Sequence, residues 1–402
     1  MANEIKIQVK TTDTKPTETS YFLDLAERMR SVCGDCTKIY DALGEHPWLS
    51  VWLPLKVTDS VLRGIAQVCF ANNTISGLLI LIGLFVGDVR AGGGAVLCSI
   101  IAIATAKFTH QDDGAIRAGL TNFSPVLVGT VTASLYPLFF TKPFNGDIWF
   151  YMMMTTVFSV CVSIGLGVLL SKHNLPGYTL PFNISTSIIF ICLRAKGYAE
   201  PLQGADTAAN DEINVTQGVN VTSLDDLHVE SSNIQWDQVW LGTLLTVGQV
   251  YAVESIACSI LILIGLVLCS PMIAAASYLG GLLATFTALA VSSAPYTLVY
   301  AGVWGYNGFL SAACITFFMV PHPKMIAMAA INAIFTSCLQ AAIVPVFSAN
   351  NLPVFTYPFC LSSLLFLALT TSAGMGSQRV ANPTYPEHHL ALSLEKSEEV
   401  ND

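Results

Sequence analysis

Two pairs of polar side chains recur at matching places in the two halves of the chain. Gln67 and Gln249 each precede a Val and then an identical LILIGL run, at 79–84 and 261–266, an offset of 182 residues. Thr179 and Thr356 stand in Thr-x-Pro-Phe, inside NLPGYTLPFNIS from Asn174 and NLPVFTYPFCLS from Asn351, two segments 177 residues apart and identical at seven of twelve positions. A Gln carboxamide offers two donors and an acceptor, which suits a planar amide-like solute. A lone Gln at a helix end is commonly structural, and a Thr at a helix start commonly accepts a backbone N–H as an N-cap. Paired at equivalent positions, each reads as a residue facing one passing solute.

Ionisable groups are sparse around these pairs. Between Gln238 and Gly376 only Glu254 and Lys324 carry charge. Lys324, in HPHPK, reads as a loop. Glu254, five residues after Gln249 and aligned with Asn72, is an acid at the edge of an apolar segment. Such an acid is either a functional group, for example a proton site, or a hydrogen-bonded helix cap. Cys33-Gly-Asp-Cys36 has metal or redox spacing but lacks a second pair or a nearby His. The other cysteines among the eleven fall mostly in apolar segments, where they pack as small hydrophobes. No nucleophile, base and metal set converges, so neither an enzyme nor a cofactor is expected.

The elements that must position these residues are apolar. Of 402 residues, 53% are hydrophobic and 11% charged, against about 25% charged in ordinary globular chains, and mean hydropathy is +0.59. Apolar runs fall at 50–70, 75–87, 93–106, 124–140, 148–170 and 180–193, and again at 238–252, 256–274, 276–292, 307–320, 325–348 and 357–371. A span needs about 20 apolar residues, so the short runs at 124–140 and 307–320 are expected to be re-entrant or broken. The prolines of Asn-Leu-Pro and Thr-x-Pro-Phe mark turns and helix starts, leaving half-helices whose ends point dipoles at a pore.

Topology follows from charge. Residues 1–47 hold six Lys/Arg and eight Asp/Glu without an apolar core, so the N-terminal segment is expected to be cytosolic. The segment 197–235 has seven acidic residues, no Lys or Arg, and sequons at Asn214 and Asn220, which reads as a glycosylated extracellular loop. Sequons at Asn72, Asn122 and Asn183 lie in or beside apolar runs and read as inaccessible. The net charge of −9 sits in the tails and the central loop; no basic stripe exists for nucleic acid.

A third marker, GLTNFSPVLVG at 119–129 against GVWGYNGFLSA at 302–312, keeps the order at an offset of 183. The halves, 48–196 and 236–376, each hold an odd number of spans and so enter the membrane in opposite senses. That is an inverted repeat, with the solute path near the midplane. The 377–402 tail then returns to the cytosol.

In QVCFANNTISGLLILIGL, LPGYTLPFN, VYAGVWGYNGFL, LPVFTYPFC and the tail's TYPE at 384–387, the sequence resembles the urea transporter family over about 45–375. The resemblance implies an all-α polytopic membrane protein of two inverted five-helix repeats, each with a re-entrant pore helix, around a central pore. It implies a plasma-membrane homotrimer, lipid-embedded, that passes urea down its gradient. By motif, Gln67 and Gln249 would bind urea at the wide ends of a slot and Thr179 and Thr356 would face its narrow centre. Phe123 and Leu127, with Tyr306 and Leu310, would line it, and Phe70 matches the aromatic three residues after the first Gln. The pattern departs at Asn72-Asn73-Thr74 and Glu254-Ser255-Ile256, where a proline is missing, at Phe123-Ser124-Pro125, and at Ala252, which supplies no aromatic partner for Phe70.

Overall fold

The computed structural model describes residues 34–199, 234–293, 295–370 and 379–401. The first half runs α1 (Thr37–Gly44), α2 (Leu53–Gln67), α3 (Thr74–Gly87), α4 (Val89–Phe108), α5 (Asp113–Arg117), α6 (Phe123–Phe139), α7 (Gly146–Ser171) and α8 (Leu180–Ala195). The second runs α9 (Trp236–Gln249), α10 (Ile256–Cys269), α11 (Pro271–Val291), α12 (Thr297–Tyr300), α13 (Tyr306–Phe318), α14 (Pro323–Ser348) and α15 (Tyr357–Leu369), and α16 (Pro386–Asn401) closes the chain. Among the described residues the isolated bridge between Met319 and Arg379 is the one strand-like pairing.

Four helices are long and apolar enough to cross a membrane: α4 and α11, of 20 and 21 residues, and α7 and α14, of 26 each. At 1.5 Å per residue a 20-residue helix reaches about 30 Å, the thickness of the hydrocarbon core. The other apolar helices, α3, α6, α8, α10, α13 and α15, have 10 to 17 residues. The short runs at 124–140 and 307–320 are therefore joined by other short helices, and a bilayer-length path is built from pieces.

The breaks between the pieces fall in matched places. At the end of α2 the Phe70 N–H reaches Gln67 O (3.0 Å) and the Ala71 N–H reaches Ala66 O (3.2 Å), with Phe70 left-handed at φ 61°. At the end of α9, Ala252 N–H to Gln249 O (3.0 Å) and Val253 N–H to Gly248 O (3.1 Å) repeat the turn, with Ala252 at φ 57°. Asn174 (φ 53°) and Asn351 (φ 49°) end α7 and α14 in the same way, as do Gly119 and Gly302 after α5 and α12, at φ 73° and 79°. A left-handed residue lets the last carbonyls of a helix find donors and turns the chain sharply. Glycine accepts that conformation freely; Phe70 and Ala252 hold it against steric cost.

The prolines missing at Thr74 and Ile256 are replaced by side-chain caps. Asn73 Oδ1 accepts from the N–H groups of Ile75 (2.8 Å) and Ser76 (3.0 Å), and Ser255 Oγ accepts from Cys258 N–H (3.3 Å). Both helices thus start where proline would have started them. Glu254 is not the cap of α10; Ser255 is.

The exterior is apolar, as a lipid solvent demands, and the largely apolar interior also holds polar side chains. Phe158, Val168, Ile260 and Ile264 are exposed, while Asn122, Asn183, Asn307, Asn332 and Gln340 are buried. The two halves meet along α3 and α10, where Ser76 Oγ donates to Gly265 O (2.6 Å). Helices α4 and α6 cross where Gly94 and Gly129 face each other's carbonyls, leaving no room for a Cβ on either. Buried Arg63 holds the entrance of the first half together. Its Nε donates to Asp59 Oδ2 (3.0 Å), Nη1 to Asp35 O (2.8 Å) and Asn72 O (2.9 Å), and Nη2 to Cys36 O (3.1 Å).

Candidate functional site

The matched breaks open two cavities, of about 610 and 520 Å³, each far larger than the roughly 30 Å³ occupied by one water. One is lined by Gln67, Phe70, Asn72, Phe123, Tyr178 and Thr179. The other is lined by Gln249, Ala252, Glu254, Tyr306, Phe355 and Thr356. These are the same six positions of the two halves, taken in order.

The cavities approach each other at Thr179 and Thr356. Their hydroxyl oxygens are 2.6 Å apart, in a direct hydrogen bond. Both threonines are buried, at 3% exposure, and both immediately precede a helix, α8 and α15, without capping it. The N-cap role open to them in the sequence is taken by neither. The prolines at Pro181 and Pro358, in the first turns of α8 and α15, carry no N–H to be satisfied.

Each glutamine sits at the last turn of its helix, α2 or α9, and faces a cavity. Among the described residues Gln67 Oε1 has no hydrogen-bond partner. Gln249 is anchored, with Nε2 donating to Ala301 O at 2.9 Å. Tyr306 lines the second cavity and donates its hydroxyl to Phe355 O, beside Asn307 Nδ2, which donates to Gln340 Oε1 (2.9 Å). Glu254 is exposed at the mouth of this cavity, with Asp88 and Arg90 on its wall, 3.6 Å apart.

Leu127 and Leu310 are fully buried, one turn beyond Phe123 and Tyr306 on α6 and α13. They belong to the core and to the lining of neither cavity. Asn214, Asn220 and Cys33 lie outside the described residues. Cys36 is buried. Asn122 and Asn183 are fully buried, which closes those sequons to modification.

The partner that Ala252 does not give Phe70 comes from elsewhere. Phe70 packs against Phe317 (centroids 5.4 Å), Phe359 (6.1 Å) and Phe318 (6.3 Å), and Tyr178 packs against Phe359 (5.2 Å). All five rings line the Gln67 cavity. Phe317, Phe318 and Phe359 come from α13 and α15 of the other half, so no local pattern marked them. Asn183 was passed over for a different reason. It stands opposite Cys360 in the repeated motif, and the mismatch between halves was its only signal.

The tail roofs the same cavity with Asn382, Pro383 and Thr384. It is held by Val380 N–H to Phe318 O (3.0 Å) and by Glu387, whose carboxylate accepts from Ser270 Oγ (2.7 Å) and Met272 N–H (2.8 Å). That places a negative charge at the N-terminus of α11, where the helix dipole favours it. Among the described residues no group of three or more His, Cys, Asp or Glu is gathered to hold a metal ion.

Membrane-length helices around two cavities that approach each other at one pair of hydroxyls define a polytopic all-α membrane protein. Residues 58–371 match the family model described as urea transporter. The chain belongs to the urea transporter family. It is similar to urea transporter 1 of Ovis aries, 31% identical over 384 residues covering 93% of this chain and 91% of that protein. It is also similar to urea transporter 1 of Rattus norvegicus, 30% identical over 384 residues covering 92% and 91%.

Proposed function

We propose that this chain passes urea across the membrane, passively and down its concentration gradient, between the two cavities and through the Thr179–Thr356 contact. The observation that carries the proposal is that contact: equivalent hydroxyls of the two halves, 2.6 Å apart, stand where the cavities approach each other.

Urea is flat and neutral. The apolar faces of Phe70, Tyr178 and Phe359 suit its plane and displace water from it. Its N–H bonds need acceptors once dehydrated, and the unpartnered Gln67 Oε1 is one. Gln249, fixed by Ala301 O, serves at the opposite mouth. Exchanging water's hydrogen bonds for these keeps the net cost low, whereas an ion would lose hydration that hydroxyls and aromatic rings cannot replace. Leu127 and Leu310 act from behind, as the packing that fixes Phe123 and Tyr306.

The same proposal places the halves 48–196 and 236–376 in opposite orientations in the plasma membrane. The 1–47 and 377–402 segments are then cytoplasmic and the glycosylated 197–235 loop is outside. The assembly is a homotrimer, which the family resemblance supports. Water or ammonia leaks through the same opening. The coupled alternative, with Glu254 as a proton site, rests on its place at the mouth of the second cavity, where it is exposed and caps nothing. Urea entry into proteoliposomes with and without an imposed proton gradient tests this. Equal final urea concentrations on both sides fit the passive reading, and accumulation against the gradient overturns it.

A further inference from the structure

The Thr179–Thr356 hydrogen bond belongs to a closed set of four buried groups, and the set has a direction. Asn183 lies on α8, fully buried. Its side-chain oxygen is identified by the backbone N–H of Thr356, which can only donate and reaches it at 3.1 Å. A carboxamide oxygen only accepts, so the Thr356 hydroxyl, 2.9 Å from that same oxygen, gives its single proton to Asn183. The 2.6 Å contact between the threonines must then use the proton of Thr179. With that proton committed, Thr179 accepts from Cys360 Sγ–H at 3.2 Å, and Asn183 Nδ2 donates back to Cys360 Sγ at 3.5 Å. All four bonds run in one sense, an arrangement in which each polarises the next.

We propose that Asn183 is a positioning residue that fixes the hydrogen-bond polarity of the constriction. It leaves Thr356 an acceptor and Thr179 the donor toward whatever parts them. A solute inserted between the two hydroxyls then has to bring an N–H to Thr356 and an acceptor to Thr179. An amide does both with its two ends. The carbonyl of the solute points to Thr179 and its N–H to Thr356, although the threonines themselves are equivalent in the two halves. The asymmetry arises because Asn183 of the first motif is matched by Cys360 in the second, 177 residues on. The inference rests on the urea-conducting reading above and deepens it.

The test compares urea with thiourea, whose sulfur is a poorer acceptor for the Thr179 hydroxyl. Flux of both is measured by stopped flow in proteoliposomes holding the wild type, Asn183→Cys, and the exchange Asn183→Cys with Cys360→Asn. Freed of Asn183, neither threonine is held as donor, both can take N–H groups of the solute and the demand for a solute acceptor is relaxed, so the urea-to-thiourea ratio of the single variant should fall by about fivefold or more, the effect of one hydrogen bond. The exchange rebuilds the same set from the other half and should restore the ratio to within about twofold of the wild type, less than the effect of one such bond. Asn183→Ser, smaller and able to donate as well as accept, should lower the ratio too and replaces the cysteine variant if that does not fold. An unchanged ratio in the single variants, or a lowered ratio that the exchange leaves lowered, overturns the polarity and returns Asn183 to packing. Wild-type urea flux equal to that of protein-free vesicles overturns the urea reading itself and the polarity with it.

Discussion

Thr179 and Thr356 are separated by 177 residues of sequence and by 2.6 Å in the fold, hydroxyl to hydroxyl. Each ends a turn opened by a left-handed asparagine, Asn174 or Asn351, and each is followed by a helix with a proline in its first turn. The contact is thus made by the repeated Asn-Leu-Pro and Thr-x-Pro-Phe segments meeting from opposite halves. Neither hydroxyl is spent on its own helix.

The two glutamines should separate function from stability. Gln67→Leu removes an acceptor that no group among the described residues uses, so urea flux in proteoliposomes should drop by about fivefold to tenfold, one hydrogen bond's worth, with thermal stability unchanged. Gln249→Leu also strips Ala301 O of its donor. Its flux should drop similarly while the melting temperature, read by fluorescence-detected size exclusion, falls as well.

Arg63 ties the turn after Gln67 to the backbone of Asp35 and Cys36, just before α1. Arg63→Met leaves the Asp59 carboxylate, 6% exposed, without its cation, and should destabilise the protein by about 3–5 kcal/mol. The pair Arg63→Met with Asp59→Leu should recover part of that loss and no more, because the carbonyls of Asp35, Cys36 and Asn72 still lack their donor. Thermal unfolding in detergent reads both.

The docked tail should respond to acid. His389 accepts the Thr384 N–H at Nε2 (2.9 Å), which requires an unprotonated nitrogen. Burial first, then the neighbouring His388, push its imidazole from 6.5 down to about 4. A histidine depressed on docking contributes stability that is complete above 6.5 and is lost as pH falls through about 4. Limited proteolysis after residue 378 should therefore accelerate between those values, and His389→Gln, which still accepts, should flatten the dependence.

Glycan placement tests the topology. In a eukaryotic membrane the protein should carry glycan that Asn214→Gln with Asn220→Gln abolishes, seen as a mobility shift lost on glycosidase treatment. Glycan persisting in that double variant would assign it to another sequon, against the burial of Asn122 and Asn183.

Much of this arrangement was legible in the sequence because it is written twice. Gln67 and Gln249, and Thr179 and Thr356, are found by matching halves, Phe123 and Tyr306 by the family motif, and the structure seats each pair at equivalent places in the two cavities. Matching halves also explains what was hidden. Asn183 and Cys360 differ, so a search for identities passed over them, although their difference sets the direction of the hydrogen bonds. Phe317, Phe318 and Phe359 look in sequence like any apolar residue of a helix, and only the crossing of α13 and α15 past Phe70 makes them a wall. The prolines missing after Asn73 and Ser255 signalled altered turns, yet side-chain caps restore the helix starts, because an Asx or Ser oxygen satisfies the free N–H groups that proline would have removed or left to solvent. Leu127 and Leu310 lie one helical turn from lining residues, a distance that motif spacing alone does not resolve into wall or core.

The most direct test of the account is urea entry, followed by stopped flow, into proteoliposomes carrying the wild type or Thr179→Val with Thr356→Val, against protein-free liposomes. The account predicts fast entry for the wild type. The double variant, which keeps the shape of the constriction without its hydroxyls, should lose about tenfold or more, since both hydrogen bonds to the solute are gone. Wild-type entry no faster than that of protein-free liposomes, or undiminished entry through the valine variant, would contradict it.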